Sequence, residues 1–222
     1  WSSDVCSSDL GQNLSNTNNV INVYFVPSDK VNPSITVGNY DHHTVYSGET
    51  FKNTINVNDN YGLNTVASTS DSAITMTRNN NELVGQAPNV TNSTNKIVKV
   101  KATDKSGNES IVSFTVNIKP LNEKYRITTS SSNQTPVRIS NIQNNANLSI
   151  EDQNRVKSSL SMTKILGTRN YVNESNNDVR SQVVSKVNRS GNNATVNVTT
   201  TFSDGTTNTI TVPVKHVLLE VV

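Results

Sequence analysis

Alternation of apolar and polar positions with a period of two runs through most of this chain. The clearest instance sets Val98, Val100 and Ala102 against Lys99 and Lys101, then Val112, Phe114, Val116 and Ile118 against Ser113, Thr115 and Asn117. Successive side chains on a strand point to opposite faces, so the pattern predicts two strands, each with one wet and one dry face. Asp104-Lys105-Ser106-Gly107-Asn108 lies between them and supplies the residues of a turn. A slip of one residue would put the whole apolar set in water, so the register of this hairpin is well specified. Upstream, Phe51, Ile55 and Val57 lead into the turn cluster Asn58-Asp59-Asn60-Tyr61-Gly62. Ile74 to Thr77 runs into a second turn at Arg78 to Glu82, after which Leu83-Val84 resumes. Short strands between turns over 31–119 predict a β-sandwich.

The pattern changes on either side. Asn19 to Val26 reads as a strand and Pro27 to Pro33 as a break, so 11–30 is expected to end a preceding β module and its linker. From 120 to 217 the chain predicts an α+β module, β-grasp-like, with one helix laid over a hairpin-rich sheet. Tyr125-Arg126-Ile127 and Val137-Arg138-Ile139 read as strands. The helix is expected from Ile150 to about Met162, with Ser149 as its cap, Asp152 completing a capping box, and Val156 and Leu160 on one face. Residues 167–178 read as loop, Val179 to Val187 as a strand and Arg189 to Asn193 as a turn. Val196, Val198 and Phe202 alternate with Asn197 and Thr199, Ser203-Asp204-Gly205-Thr206 carries a hairpin signal, and Ile210, Val212 and Val214 return. Residues 218–222 are expected to begin the next linker, cut short.

Trp1 to Leu10 show no apolar period and hold the chain's only Trp and Cys. In one reading frame they translate the end of a common short-read sequencing adapter, so 1–10 is expected to be an artefact, to be left out of fold reasoning. The natural chain would then begin upstream. Without this stretch no cysteine is left for a disulfide or a thiolate metal site.

Composition supports the β reading. There are 36 Asn in 222 residues and only 5% aromatics, with Val, Ile and Thr alternating with small polar residues, as in sheets with one solvated face. Dropping Asp4 and Asp9 leaves 19 basic residues against 15 acidic, a net +4. These charges are scattered, and nucleic-acid binding would want a concentrated basic stripe.

Candidate chemistry is sparse. Asp41-His42-His43 and His216 read as surface polar residues, because adjacent histidines on a strand point to opposite faces and no further ligand pattern accompanies them. Asp59 and Asp104 lie at strand ends, where clustered oxygen ligands at a module junction can hold Ca²⁺. Turn-forming aspartates are the other reading of both. No nucleophile motif, metalloprotease motif or phosphate loop is present, so no enzyme activity, catalytic residue or organic cofactor is expected.

Two stretches carry a resemblance. VKVKATDKSGNESIVSFTVNIKP (98–120) resembles the closing hairpin of bacterial Ig-like or cadherin-like modules in Gram-positive surface proteins. NVTTTFSDGTTNTITVPVKHV (197–217) resembles the last hairpin of the modules that alternate with them. From about Asp41 to Val217 the chain is similar to the N-terminal, non-helical region of the giant extracellular matrix-binding surface proteins of staphylococci. The resemblance implies a wall-associated extracellular protein with a signal peptide before this region, and helical repeats and a membrane segment after it. It implies binding of host matrix, notably fibronectin, and support of the envelope under osmotic stress. It carries over no site residue. Spacer modules without a ligand, or an accessory module of a secreted wall hydrolase, are the alternatives.

Overall fold

The computed structural model describes residues 29–38, 43–70, 74–129, 135–165 and 177–217. The adapter-like stretch, the strand expected at 19–26, Asp41, His42, most of the 167–178 loop and the expected linker at 218–222 lie outside them.

Period-two alternation becomes eight strands over the first part: β1 (Ser34–Val37), β2 (His43–Tyr46), β3 (Thr50–Asn58), β4 (Leu63–Ser70), β5 (Thr75–Asn79), β6 (Glu82–Gln86), β7 (Thr94–Asp104) and β8 (Glu109–Lys119). They form two sheets, β1-β3-β6-β5 and β2-β8-β7-β4, packed face to face. Phe51, Ile55 and Leu83 from one sheet meet Val45, Val98, Val100, Phe114, Val116 and Ile118 from the other, all buried. The β7–β8 hairpin keeps the expected register, with Val98 opposite Phe114 and Val100 opposite Val112. The first two strands divide between the sheets: β1 runs antiparallel to β3, whereas β2 runs parallel to β8.

One close approach in this core depends on a missing Cβ. Gly85 on β6 sits opposite Phe51 on β3, and a methyl there would lie 2.2 Å from the ring. Phe51 is 1% exposed, so the ring has nowhere to retreat. Gly85→Ala is expected to cost about 1–3 kcal/mol through overpacking. Urea denaturation checks this, and Phe51→Leu placed in the same chain should recover part of the loss.

The second part contains β9 (Tyr125–Thr129), β10 (Val137–Ile139), α1 (Ile150–Ser158), β11 (Leu160–Lys164), β12 (Val179–Val184), β13 (Asn188–Ser190), β14 (Asn193–Phe202) and β15 (Thr207–His216). The main sheet has the order β10-β15-β14-β12, with β13 also on β14; β9 and β11 form a separate pair. Strand β10 runs parallel to β15, and the other pairs are antiparallel. Val156 of α1 packs with Ile139, Val196, Val198, Val212 and Val214 in a second core. The Asp-Gly hairpin forms between β14 and β15, with Gly205 at φ +87°, a value that favours glycine.

Two expectations for the helix need correction. It ends at Ser158, four residues before Met162. Residues 160–164 pair instead with β9, from Leu160 opposite Thr129 to Lys164 opposite Tyr125. Ser159, Ser161 and Thr163 are weak helix formers, so sheet pairing wins. Leu160 still packs against the cluster that holds Val156. Ser149 does cap the helix, accepting from the Asp152 N–H at 3.1 Å. The Asp152 carboxylate, however, turns away to accept from the Ser140 N–H and hydroxyl, so the capping box is only half made.

Candidate functional site

Strands β3 and β8 both run the length of the first sandwich. At one end they carry the turns that hold Asp59 and Asp104; at the other they carry Glu49 and Lys119. Among the described residues, every buried charged side chain except Asp152 of α1 lies at one of these two poles.

At the first pole, Asp59 and Asp104 come together as the sequence suggested, joined by a residue it did not single out. Asp29, Asp59 and Asp104 each offer a carboxylate oxygen, and these oxygens lie within 4.8 Å of one another. They come from the incoming linker, the β3–β4 turn and the β7–β8 hairpin. Asp104 is fully buried. Its Oδ1 accepts from the Ser106 and Asn108 N–H groups at 2.8 Å, and its Oδ2 from Asn108 Nδ2 at 2.7 Å. Burial pushes its carboxyl up, but the Asn108 side chain and the turn N–H groups outweigh this and hold it below the usual range. Asp59 Oδ1 accepts from the Tyr61 and Gly62 N–H groups. Asp29 Oδ1 accepts from the Val31 N–H at 3.0 Å and from Asn60 Nδ2 at 3.4 Å. Asn108 Nδ2 also donates to the Asp29 carbonyl at 2.8 Å, fastening the linker to the hairpin. His216 is exposed on β15, away from this cluster.

At the second pole the chain leaves β8 through a 3₁₀ turn, Leu121–Glu123, and enters the second part. Here Lys124 is 4% exposed, Glu49 2% and Asp178 6%. Lys124 Nζ reaches Glu49 Oε1 at 2.6 Å and Asp178 Oδ2 at 2.7 Å. Glu49 also accepts from the Tyr46 N–H, and Asp178 from the Tyr125 hydroxyl at 2.5 Å. The rings of Tyr46 and Tyr125 stand 5.8 and 5.4 Å from the ammonium. Tyr46, Leu121, Tyr125 and Phe202 form an apolar cluster drawn from both parts. Asp204 accepts from the Leu121 N–H at 2.7 Å, and Asn208 donates to the Asn122 carbonyl at 3.0 Å. The Asp-Gly turn between β14 and β15 thus serves as the second part's half of the junction.

Titration of this junction has a defined sign. Burial alone would depress Lys124, but the Asp178 and Glu49 carboxylates outweigh it and raise the ammonium above its ordinary range. Burial, then the hydrogen bond to Asp178, push the Tyr125 phenol up to about 12. Both folded values are raised, so their contribution is complete below the unfolded values of about 10 for Tyr and 10.4 for Lys, and is lost as pH rises through the folded ones. Burial pushes Asp204 up, but the Thr206 hydroxyl and the Leu121 N–H hold it down. Its contribution is therefore present above about pH 3.9 and lost as pH falls through its folded value. Tyrosinate absorbance in an alkaline titration should show the Tyr125 phenol ionising near pH 12, with burial holding Tyr46 above the ordinary range as well, together with loss of the native fold. Ionisation of every phenol in a single step near pH 10 would contradict the buried junction.

The junction was not legible beforehand. Glu49, Lys124 and Asp178 sit in polar stretches, and nothing in a single sequence separates a buried charge from a solvated one. Asp29 lay within what reads as a linker.

Comparison with known proteins finds relatives over most of the chain. The chain is 53% identical over 215 residues to "Extracellular matrix-binding protein EbhB" of Staphylococcus aureus strain Newman, covering 96% of this chain and 3% of that protein. It is 54% identical over 215 residues to "Extracellular matrix-binding protein ebh" of strain MRSA252, covering 2% of it. The chain therefore spans a small part of the proteins it resembles. No protein-family model matches it. Among solved structures, the fibronectin(III)-like modules of Clostridium thermocellum CbhA are 12% identical, with 84% of this chain and 97% of that one covered and a TM-score of 0.33. The D00-D0 domain of intimin is 12% identical, with 82% of this chain and all of that one covered and a TM-score of 0.35.

Proposed function

We propose that this chain, homologous over 215 residues to a segment of the staphylococcal extracellular matrix-binding proteins, is a non-enzymatic, extracellular segment of a bacterial surface adhesin. It binds host matrix, with fibronectin as its ligand, and contributes to envelope integrity as part of a wall-associated array. The observation that carries this reading is the 53% identity, which extends over 96% of the chain. The two β-rich units act in it as one stiff body, an account supported by the buried triad and the shared apolar cluster between them.

Binding by strand addition suits this architecture, because a matrix peptide can extend an open sheet edge through main-chain hydrogen bonds. Among the described residues, strand β12 offers such an edge: it pairs with β14, and Val179 and Val183 are 37% and 62% exposed on it. The purified chain, passed over immobilised fibronectin, fibrinogen and collagen, should show saturable binding to fibronectin. Single side-chain changes on β12 should alter it little, whereas a proline within β12 should abolish it. Absence of binding to all three from a folded chain would favour the second reading, a spacer that holds other modules away from the wall. The stiff junction suits that role as well.

A further inference from the structure

We propose that Asp29, Asp59 and Asp104 form a Ca²⁺ site that clamps the incoming linker onto the far end of the first sandwich. Three carboxylate oxygens within 4.8 Å of one another repel strongly unless a positive charge stands among them. Among the described residues, no Lys or Arg forms an ion pair with any of the three. Asp29 Oδ2 and Asp59 Oδ2 are both shielded from solvent and have no hydrogen-bond donor, while the Oδ1 of each is satisfied by N–H groups. A buried carboxylate oxygen without a partner is costly, and here two such oxygens occur in one cluster. A cation supplies what both lack.

The donor set selects the ion. Every group is a hard oxygen, with no imidazole or thiolate among them. Ca²⁺ accepts such ligands in irregular geometry and completes its shell with water, whereas Mg²⁺ demands a near-ideal octahedron. An open depression of about 200 Å³, lined by Val31, Asn32, Ser34, Asn58, Asp59 and Asn60, borders the cluster and gives an ion and its waters a way in. The three ligands lie 30 and 45 positions apart in the chain. A bound ion would therefore cross-link the linker to two turns, adding to the hold that Asn108 already has on the Asp29 carbonyl. This inference does not depend on the identity of the matrix ligand.

Isothermal titration of the whole chain with CaCl₂, after chelation, tests it together with thermal unfolding. Expected are one saturable site in the range of about 0.1–1 mM, typical of extracellular modules, and a melting temperature that rises with Ca²⁺. Asp29→Asn and Asp59→Asn should each weaken binding at least tenfold. They should also lose most of the calcium-dependent shift, while melting near the calcium-free parent temperature. Asp29→Asn carries most weight, because Asp29 lies outside both sheets and its replacement leaves the sandwich intact. Absence of heat and of any shift up to 10 mM Ca²⁺ would overturn the proposal, as would equal binding of Mg²⁺. Binding that survives in both variants would overturn it as well.

Discussion

Lys124→Met should lower the stability of the chain by about 3–5 kcal/mol. The substitution keeps the unbranched stem of the side chain and removes its terminal ammonium. Glu49 and Asp178, 2% and 6% exposed, would then face each other without a counter-ion. Removing one member of a buried ion group costs far more than the group contributes, because the remaining charges stay desolvated. The triple change Glu49→Gln, Lys124→Met and Asp178→Asn tests this cause directly. It removes all three charges and should recover most of the loss. Urea denaturation of the parent, the single and the triple variant decides the matter. A loss below about 0.5 kcal/mol for Lys124→Met, the size expected of a surface pair, would mean that the triad is solvated.

Phe202→Ala should cost about 3–5 kcal/mol as well, by leaving a cavity where an aromatic ring was fully buried. The effect should appear at the junction more than in the second core. Phe202 belongs to β14, yet it stacks on Tyr125 with centroids 5.6 Å apart and packs with Tyr46 and Leu121. Val198, four residues earlier on the same face, packs with Val196, Val212 and Val214 instead. Limited digestion with trypsin separates the two. Phe202→Ala should speed cleavage after Lys124 and Arg126, whereas Val198→Ala should leave those bonds protected.

The same residue shows where sequence reasoning reaches and where it stops. Alternation placed Val196, Val198 and Phe202 on one face of a strand, and all three are buried on that face. It could not show that the strand passes from one core into another before it ends. The β7–β8 hairpin was legible throughout, because its register follows from which face must be dry. The helix was legible at its start, where Ser149 caps it, and not at its end. Residues 160–164 are decided by pairing with β9, more than thirty residues away, and helical spacing of Val156 and Leu160 is compatible with either outcome. At the carboxylate cluster, the turns that hold Asp59 and Asp104 were readable as turns. Their meeting with Asp29 depends on how the linker lies across the sandwich, which local pattern does not encode. Glu49, Lys124 and Asp178 were illegible for a simpler reason: each is an ordinary polar residue until the two units close over it.

That closure is the centre of the account, and calorimetry of the intact chain tests it most directly. If the two units are one body, heat should unfold them in a single transition whose calorimetric and van't Hoff enthalpies agree. Lys124→Met should then split the transition in two. Two separate transitions in the unaltered chain, unmoved by Lys124→Met, would contradict the account and leave the units as independent modules on a loose linker.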